Sequence, residues 1–248
     1  MKRPILASIV LLAVTLSSCV NYNYLQVYEV QSENCRKQYN TFIYNNEDCN
    51  ITYNLWSEGG GCNFSMTNNT NNNMFVIMPL SALIVNNEAK EYDSNLLYST
   101  DYTNPRITAN VVCIPPKSKK TIKGKRIIDN VLLVCDDSNS NFPKKQSENI
   151  NYTRNVTPLL FNNRIAYCFD SELKDIKYIE NTFWVSSLQN YSESHAIKKI
   201  TACVNGFSQK IKKYKMESPD KFYIKYMYEP FLAKENSMVK KRKAADEK

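Results

Sequence analysis

The chain has 248 residues, of which 43% are hydrophobic, 23% charged and 12% aromatic, a balance that excludes both a disordered chain and a multi-span membrane protein. Its formal net charge is +8, and it holds only five glycines and one histidine. No GxGxxG, P-loop, GxSxG or HExxH motif is present, so the commonest nucleotide-binding, esterase and zinc-protease signatures are excluded. At this length the chain is one large domain or two small ones, and an all-β sandwich can be a single unit.

Met1-Lys2-Arg3 is a short cationic segment, and Ile5 to Leu16 is an apolar run interrupted only by Ala, Ser and Thr. That run is shorter than the roughly 20 residues a spanning helix needs, so residues 1–18 read as a cleaved export signal. Leu16-Ser17-Ser18-Cys19 resembles a bacterial lipobox. The resemblance implies a diacylglyceryl group on the Cys19 thiol and an acylated amino group beside it. Two or three chains anchor firmly where a single chain holds only marginally. The alternative is an ordinary secretory peptide cut near Ser18, with Cys19 left for a disulfide. Residues 19–24 would form the tether, and Val20 to Tyr24 contains no acid. Lipoproteins retained at an inner membrane often carry Asp there, and surface-exported ones of the Bacteroidota carry an acidic cluster. The expectation is therefore the outer membrane, lipid-anchored, with the body on the periplasmic face.

Residues 25–228 form the expected body. Leu25–Val30 reads as a strand, and so does Cys49–Trp56, with Cys49, Ile51, Tyr53 and Leu55 on one face and Asn50, Thr52, Asn54 and Trp56 on the other. Gly59-Gly60-Gly61 turns the chain into Cys62–Met66. Phe75–Met78 is a buried-strand candidate, and Leu83–Val85, Asn86-Asn87 and Ala89–Tyr92 form a hairpin. A second hairpin is expected around Gly124, between Ile107–Ile114 and Ile127–Val134, and a third around Asn162-Asn163. Asp136–Thr157 reads as an exposed loop, Asn181–Ser186 as a strand, Ser192–Cys203 as a short helix, and Lys221–Tyr226 as the closing strand. About ten short antiparallel strands with little helix predict a β-sandwich of immunoglobulin-like type. Residues 229–248 form a basic tail: residues 234–248 hold six cations and three anions, suited to anionic lipid phosphate or simply to solvent. A nucleic-acid role for Lys240-Lys241-Arg242-Lys243 conflicts with export.

Of eight cysteines, seven remain if Cys19 is lipidated, so no complete disulfide framework follows. Cys113 and Cys135 are equidistant from Gly124 and would face each other in a hairpin centred there, as a disulfide or as two small buried hydrophobes. His195 has no second histidine for a metal and reads as a surface or cap residue; no metal or cofactor is expected. The SxxK matches at Ser171 and Ser237 lack their companion motifs. Glu47-Asp48, Asp136-Asp137 and Asp170/Glu172 would need unusual conformations to converge as a glycosidase pair, and read as solvated turns. Trp56 and Trp184 are the candidate ligand-stacking residues, against the alternative that they fill a core. Asn-x-Ser/Thr sequons at Asn50, Asn63, Asn68, Asn151, Asn155 and Asn190 would mean glycosylation only in a eukaryotic secreted protein.

The lipobox, Leu25-Gln26-Val27-Tyr28, Tyr53–Gly60, Leu83–Asn86 and Ser218–Tyr226 together are similar to a group of uncharacterised lipoproteins of gut Bacteroidota, Bacteroides-like, over most of the exported chain. The resemblance implies location and source and supplies no catalytic residue. The expected function is a non-enzymatic envelope lipoprotein, a binding or structural module held to the membrane through diacylglyceryl-Cys19, with an envelope protein or glycan as partner and no nucleic acid. Alternatives are a glycan-binding accessory lipoprotein, an envelope hydrolase and a eukaryotic secreted glycoprotein.

Overall fold

The computed structural model describes residues 23–93, 97–98, 107–108, 110–133, 138–204 and 207–227. Cys19, Cys135 and the basic tail 229–248 lie outside them. The first half of the chain supplies β1 (Asn23–Ser32), β2 (Arg36–Gln38), β3 (Thr41–Asn45), β4 (Cys49–Asn54), β5 (Asn63–Asn68), β6 (Met74–Ile77), β7 (Ala82–Val85), β8 (Glu88–Glu91), β9 (Leu97–Tyr98), β10 (Ile107–Thr108), β11 (Val111–Ile114) and β12 (Lys119–Ile122). The second half adds β13 (Ile150–Asn151), β14 (Leu160–Cys168), β15 (Lys177–Ser192), β16 (Ile197–Val204), β17 (Phe207–Tyr214) and β18 (Lys221–Met227). The protein is all-β and sandwich-like, with antiparallel sheets and more strands than hydrophobic alternation alone had implied.

One large sheet runs β11-β6-β14-β15-β1-β18, with β7 and β8 extending from β14 and β13 from β15; a five-stranded sheet runs β12-β5-β4-β3-β2. Alternation places Ile51, Tyr53, Phe64 and Met66 of the smaller sheet against Tyr28, Phe161, Phe183 and Phe222 of the larger, all fully buried or nearly so. Phe183 meets Phe42 and Tyr53 edge-on at 5.3 and 5.0 Å and stacks on Phe161 at 5.2 Å, so aromatic packing joins the two layers. The Ser218-Pro219-Asp220 corner ties them again: Val30 N–H donates to Asp220 O and Leu55 N–H to Pro219 O, while Lys37 pairs with the buried Asp220 carboxylate.

Polar contacts set the alignment. Asn163 of β14 lies opposite Asn181 of β15, and both side-chain amides donate to the Tyr53 hydroxyl, at 3.1 and 2.6 Å. Tyr92 Oη donates to Asn163 Oδ1 at 2.6 Å. Burial drives the Tyr53 and Tyr92 phenols well above their ordinary pKa, so both stay neutral donors and acceptors.

Several expected elements are confirmed and several corrected. Asn86 and Asn87 have φ of 48° and 71°, the pair of left-handed residues that a tight hairpin of the primed type demands, and β7 pairs with β8 across them. The same dipeptide at Asn162-Asn163 forms no turn. It sits inside the continuous strand β14, because the buried Asn163 amide finds its partners on Tyr53 and Tyr92 rather than on its own backbone. The hairpin around Gly124 is also absent: β11 pairs with β6 and β12 with β5, and the Gly124 N–H donates to Asn63 Oδ1. A Cβ at Gly124 would come within 1.9 Å of Cys62 O, so this glycine is required by close backbone approach and not by a turn. Asp136–Thr157 is no free loop where it is described. Ser147 and Tyr152 hydrogen-bond to Asn190 and Ser186 along the edge of β15, with β13 pairing there. Helix is confined to Glu193–Ala196 in the region expected to be helical, since the residues from Ile197 onward pair as a strand.

Replacing Tyr53 by Phe leaves two buried amide groups without their acceptor and should lower stability by about 1–3 kcal/mol in urea unfolding. A loss below about 0.5 kcal/mol would show that these bonds do not hold the layers together.

Candidate functional site

The outward face of the five-stranded sheet carries a site-like surface. Inward residues of β4 and β5 are large and apolar, so the alternate positions face out: Thr52 and Asn54 on β4, Asn63 and Ser65 on β5. Register places Thr52 beside Ser65, and Asn54 beside Asn63, with Thr121 of β12 opposite Ser65. Together with Thr41 and Pro219 they line a shallow groove of about 400 Å³, floored by Tyr53 and Phe64. The Ser65 and Thr121 hydroxyls share a hydrogen bond of 2.8 Å, Asn63 Oδ1 accepts from Gly124 N–H and Asn54 Oδ1 from Trp56 N–H. Thr52, Asn54 and Asn63 line the groove as short polar side chains without charge, a chemistry suited to hydroxyl-bearing ligands. The alternation that puts Thr52 and Asn54 on one face is readable in the sequence; the neighbours on β5 and β12 that complete the groove are not.

The two tryptophans are not brought together. Trp56 lies just beyond β4, tilted against Tyr223 at 4.9 Å and edge-on to Tyr214 at 5.9 Å, with Tyr214 and Tyr223 themselves 5.0 Å apart. This three-ring cluster packs with Leu25, Val27 and Ala196 and covers the part of the large sheet's outer face around β1. Lys225 donates to the Tyr214 hydroxyl, which raises the lysine pKa and holds it cationic beside the rings. Trp184 lies opposite Gln31 of β1, whereas Tyr223 lies opposite Val27, four positions away along the same strand and across it. Half-buried on the outward face, Trp184 has no ring partner among the described residues. A paired stacking platform made of Trp56 and Trp184 is therefore not what this fold builds.

The remaining candidates resolve individually. His195 is half-buried in the four-residue helix Glu193–Ala196. Asp48 accepts from Tyr167 Oη and from Lys177 Nζ, both at 2.8 Å; burial raises its pKa, yet these two donors outweigh it and hold the carboxyl below its usual value. Asp170 accepts from the Glu172 and Lys174 backbone N–H groups, closing a turn, while Asp136-Asp137 lies outside the described residues. No cluster of three or more His, Cys, Asp and Glu side chains that could hold a metal occurs among the described residues. Comparison with known protein families, with curated proteins and with solved structures gives no match.

The cysteines divide by burial. Cys113 and Cys203 are exposed, and Cys113 lies opposite Phe75 on β6, so the strand pairing expected to face it with Cys135 is not formed. Cys35, Cys49, Cys62 and Cys168 are buried. Burial pushes the Cys35 thiol up to about 11 and the Cys49 thiol up to about 12, with Cys62 and Cys168 also raised. Raised folded pKa values add stability that is complete below the ordinary thiol pKa of about 8.5 and is lost as pH rises through the folded values. In reduced, folded protein near pH 8, an alkylating reagent should modify Cys113 and Cys203 rapidly and the four buried thiols only upon unfolding, as peptide mass mapping would record. A buried thiol reacting as fast as Cys203 would contradict this placement, and rapid reaction of Cys113 without reductant would exclude a bond to Cys135.

Proposed function

We propose that the protein is a lipid-anchored module of the outer membrane, tethered through Cys19 with its body on the periplasmic face, and that its role is binding or structural and not catalytic. The observation that carries this reading is the lipobox-like Leu16-Ser17-Ser18-Cys19 directly after a short apolar run. β1 starts at Asn23, so a body lipidated at Cys19 would lie within about 14 Å of its anchor, the reach of four extended residues. Cys19→Ala should abolish incorporation of a labelled fatty acid and release the protein from the membrane fraction, while the fold, whose core begins at Tyr24 and Leu25, persists. Wild-type protein that takes up no label and fractionates as a soluble species would overturn the reading.

The second reading, a glycan-binding accessory lipoprotein, is favoured by one observation: the uncharged, hydroxyl- and amide-lined groove on the five-stranded sheet. It replaces the Trp56 and Trp184 pair as the expected contact surface. If glycan hydroxyls bind there, Thr52→Val should weaken oligosaccharide binding about fivefold in calorimetric titration, the worth of one hydrogen bond, while Trp184→Ala leaves it unchanged. Equal affinity in the wild type and Thr52→Val would remove the groove from consideration.

A further inference from the structure

β16 and β17 form a two-stranded sheet of their own, a ribbon that belongs to neither layer of the sandwich. Its residues 197–214 include five lysines and no acid. Directly opposed residues of an antiparallel pair share a face, so the register sorts the ribbon completely. One face carries the Lys198/Lys213 pair near its base, then Ile200 with Ile211, Ala202 with Gln209, and Phe207 at the far end. The other carries Ile197 with Tyr214, then Lys199 with Lys212, Thr201 with Lys210, and Cys203 with Ser208. Tyr214 is committed to the Trp56 cluster, so the base of the ribbon is fixed to the body, while Thr201, Cys203 and Phe207–Lys210 farther out are exposed. Phe207 is 72% exposed, an unusual position for a phenylalanine. Lys213 pairs with Glu217 at 3.5 Å, whereas Lys198, Lys199, Lys210 and Lys212 are exposed and have no carboxylate partner among the described residues.

We propose that this ribbon is a membrane-contact element that binds anionic phospholipid headgroups, laying its Ile200, Ile211 and Phe207 face on the bilayer surface. The chemistry fits: an amphipathic cationic element gains from burying apolar area at the interface and from attraction to lipid phosphate. On that face the stems of Lys198 and Lys213 can extend along the apolar surface while their ammonium groups stay in the headgroup layer. A ribbon one strand thick keeps the lysines of its other face within the roughly 8 Å over which the surface field acts. Position agrees as well. The ribbon follows β15 after the one-turn helix Glu193–Ala196; Ser192, the last residue of β15, lies opposite Tyr24, and Asn23 lies opposite Met227. Its base therefore lies at the end of the sheet where β1 begins. The identity of the surface rests on the anchoring reading above; ribbon and anchor together would give the body a fixed orientation on the membrane.

The test is co-sedimentation of the purified full chain with vesicles of phosphatidylcholine alone and of two parts phosphatidylcholine to one part phosphatidylglycerol. A lysine at an anionic surface is worth about fivefold in partitioning, and about a screening length above it roughly twofold. The wild type should prefer the anionic vesicles, and Lys199→Gln/Lys210→Gln/Lys212→Gln should lower that preference roughly 5- to 10-fold with an unchanged thermal melt. Phe207→Ser should weaken binding independently of charge, and salt should weaken it in the wild type far more than in the lysine variant. An anionic preference indifferent to the ribbon variants overturns the ribbon even if binding to neutral vesicles shows an anchor. Ribbon-dependent binding of anionic vesicles, with none to neutral ones, supports the ribbon and counts against lipidation. Lysine-dependent binding to a short DNA duplex but not to vesicles, or Phe207-dependent dimerisation without lipid, overturns the membrane assignment.

Discussion

The arrangement of the two layers depends on a single hydroxyl. Tyr53 projects from the smaller sheet, and its Oη receives the amide groups of Asn163 and Asn181, neighbours on adjacent strands of the larger one. Aromatic contacts such as Phe183 with Phe42 bring large area but tolerate sliding, because dispersion is only weakly directional. Hydrogen bonds in a dry interior tolerate little displacement, since a displaced donor is left unpaired at a cost of about 1–3 kcal/mol. Asn181 Oδ1 itself has no partner among the described residues, so the network aligns the layers without being fully closed. Once β4 is set against β14 and β15, the outward positions of β4 and the entry of Trp56 toward Tyr223 are set too.

The outer surfaces follow from that alignment and differ in chemistry. Behind the inward Ile51, Tyr53, Phe64 and Met66, the five-stranded sheet presents Thr, Asn and Ser side chains along the groove. The large sheet instead exposes Leu25 and Val27 on its second face, which would be an apolar patch if left open. The Trp56, Tyr214 and Tyr223 cluster closes it. Tyr214 ends the ribbon and Tyr223 lies on the strand that pairs with β1, so this cover also fixes where the ribbon leaves the body. Tryptophan at position 56 is thus needed for packing, which is why it is a poor choice as a free stacking surface.

Much of the fold was legible because it is local. Strict alternation at Cys49–Asn54 and Lys221–Met227 gave strand, face and approximate ends, and Asn86-Asn87 gave a turn. The failures share one cause. Asn162-Asn163 has the same local chemistry as Asn86-Asn87, yet its amide is satisfied by tyrosines far away in sequence. Gly124 looks like a turn residue but is needed for backbone approach to Cys62. The ribbon lysines hide strand character, since neither face of that pair is buried in the core and no hydrophobic period reports it. The groove was half visible, as Thr52 and Asn54, and the half contributed by β5 and β12 was not.

The sequence by itself determined the all-β class, the inward and outward faces of the strongest strands, the cationic excess and the lipobox-like segment ahead of β1, because side-chain alternation and short motifs need no distant partner. Tertiary structure alone decided which strands meet: β1 between β15 and β18, β11 on β6 and not on the chain after Gly124, and β16 with β17 apart from both layers. Those choices also decided that Trp56 and Trp184 lie apart, that Cys113 faces β6, and that Thr52 and Asn54 meet Ser65 and Asn63 in one groove. Strand partners are selected by buried area and hydrogen bonding summed over residues distant in the chain, and no local pattern records that sum.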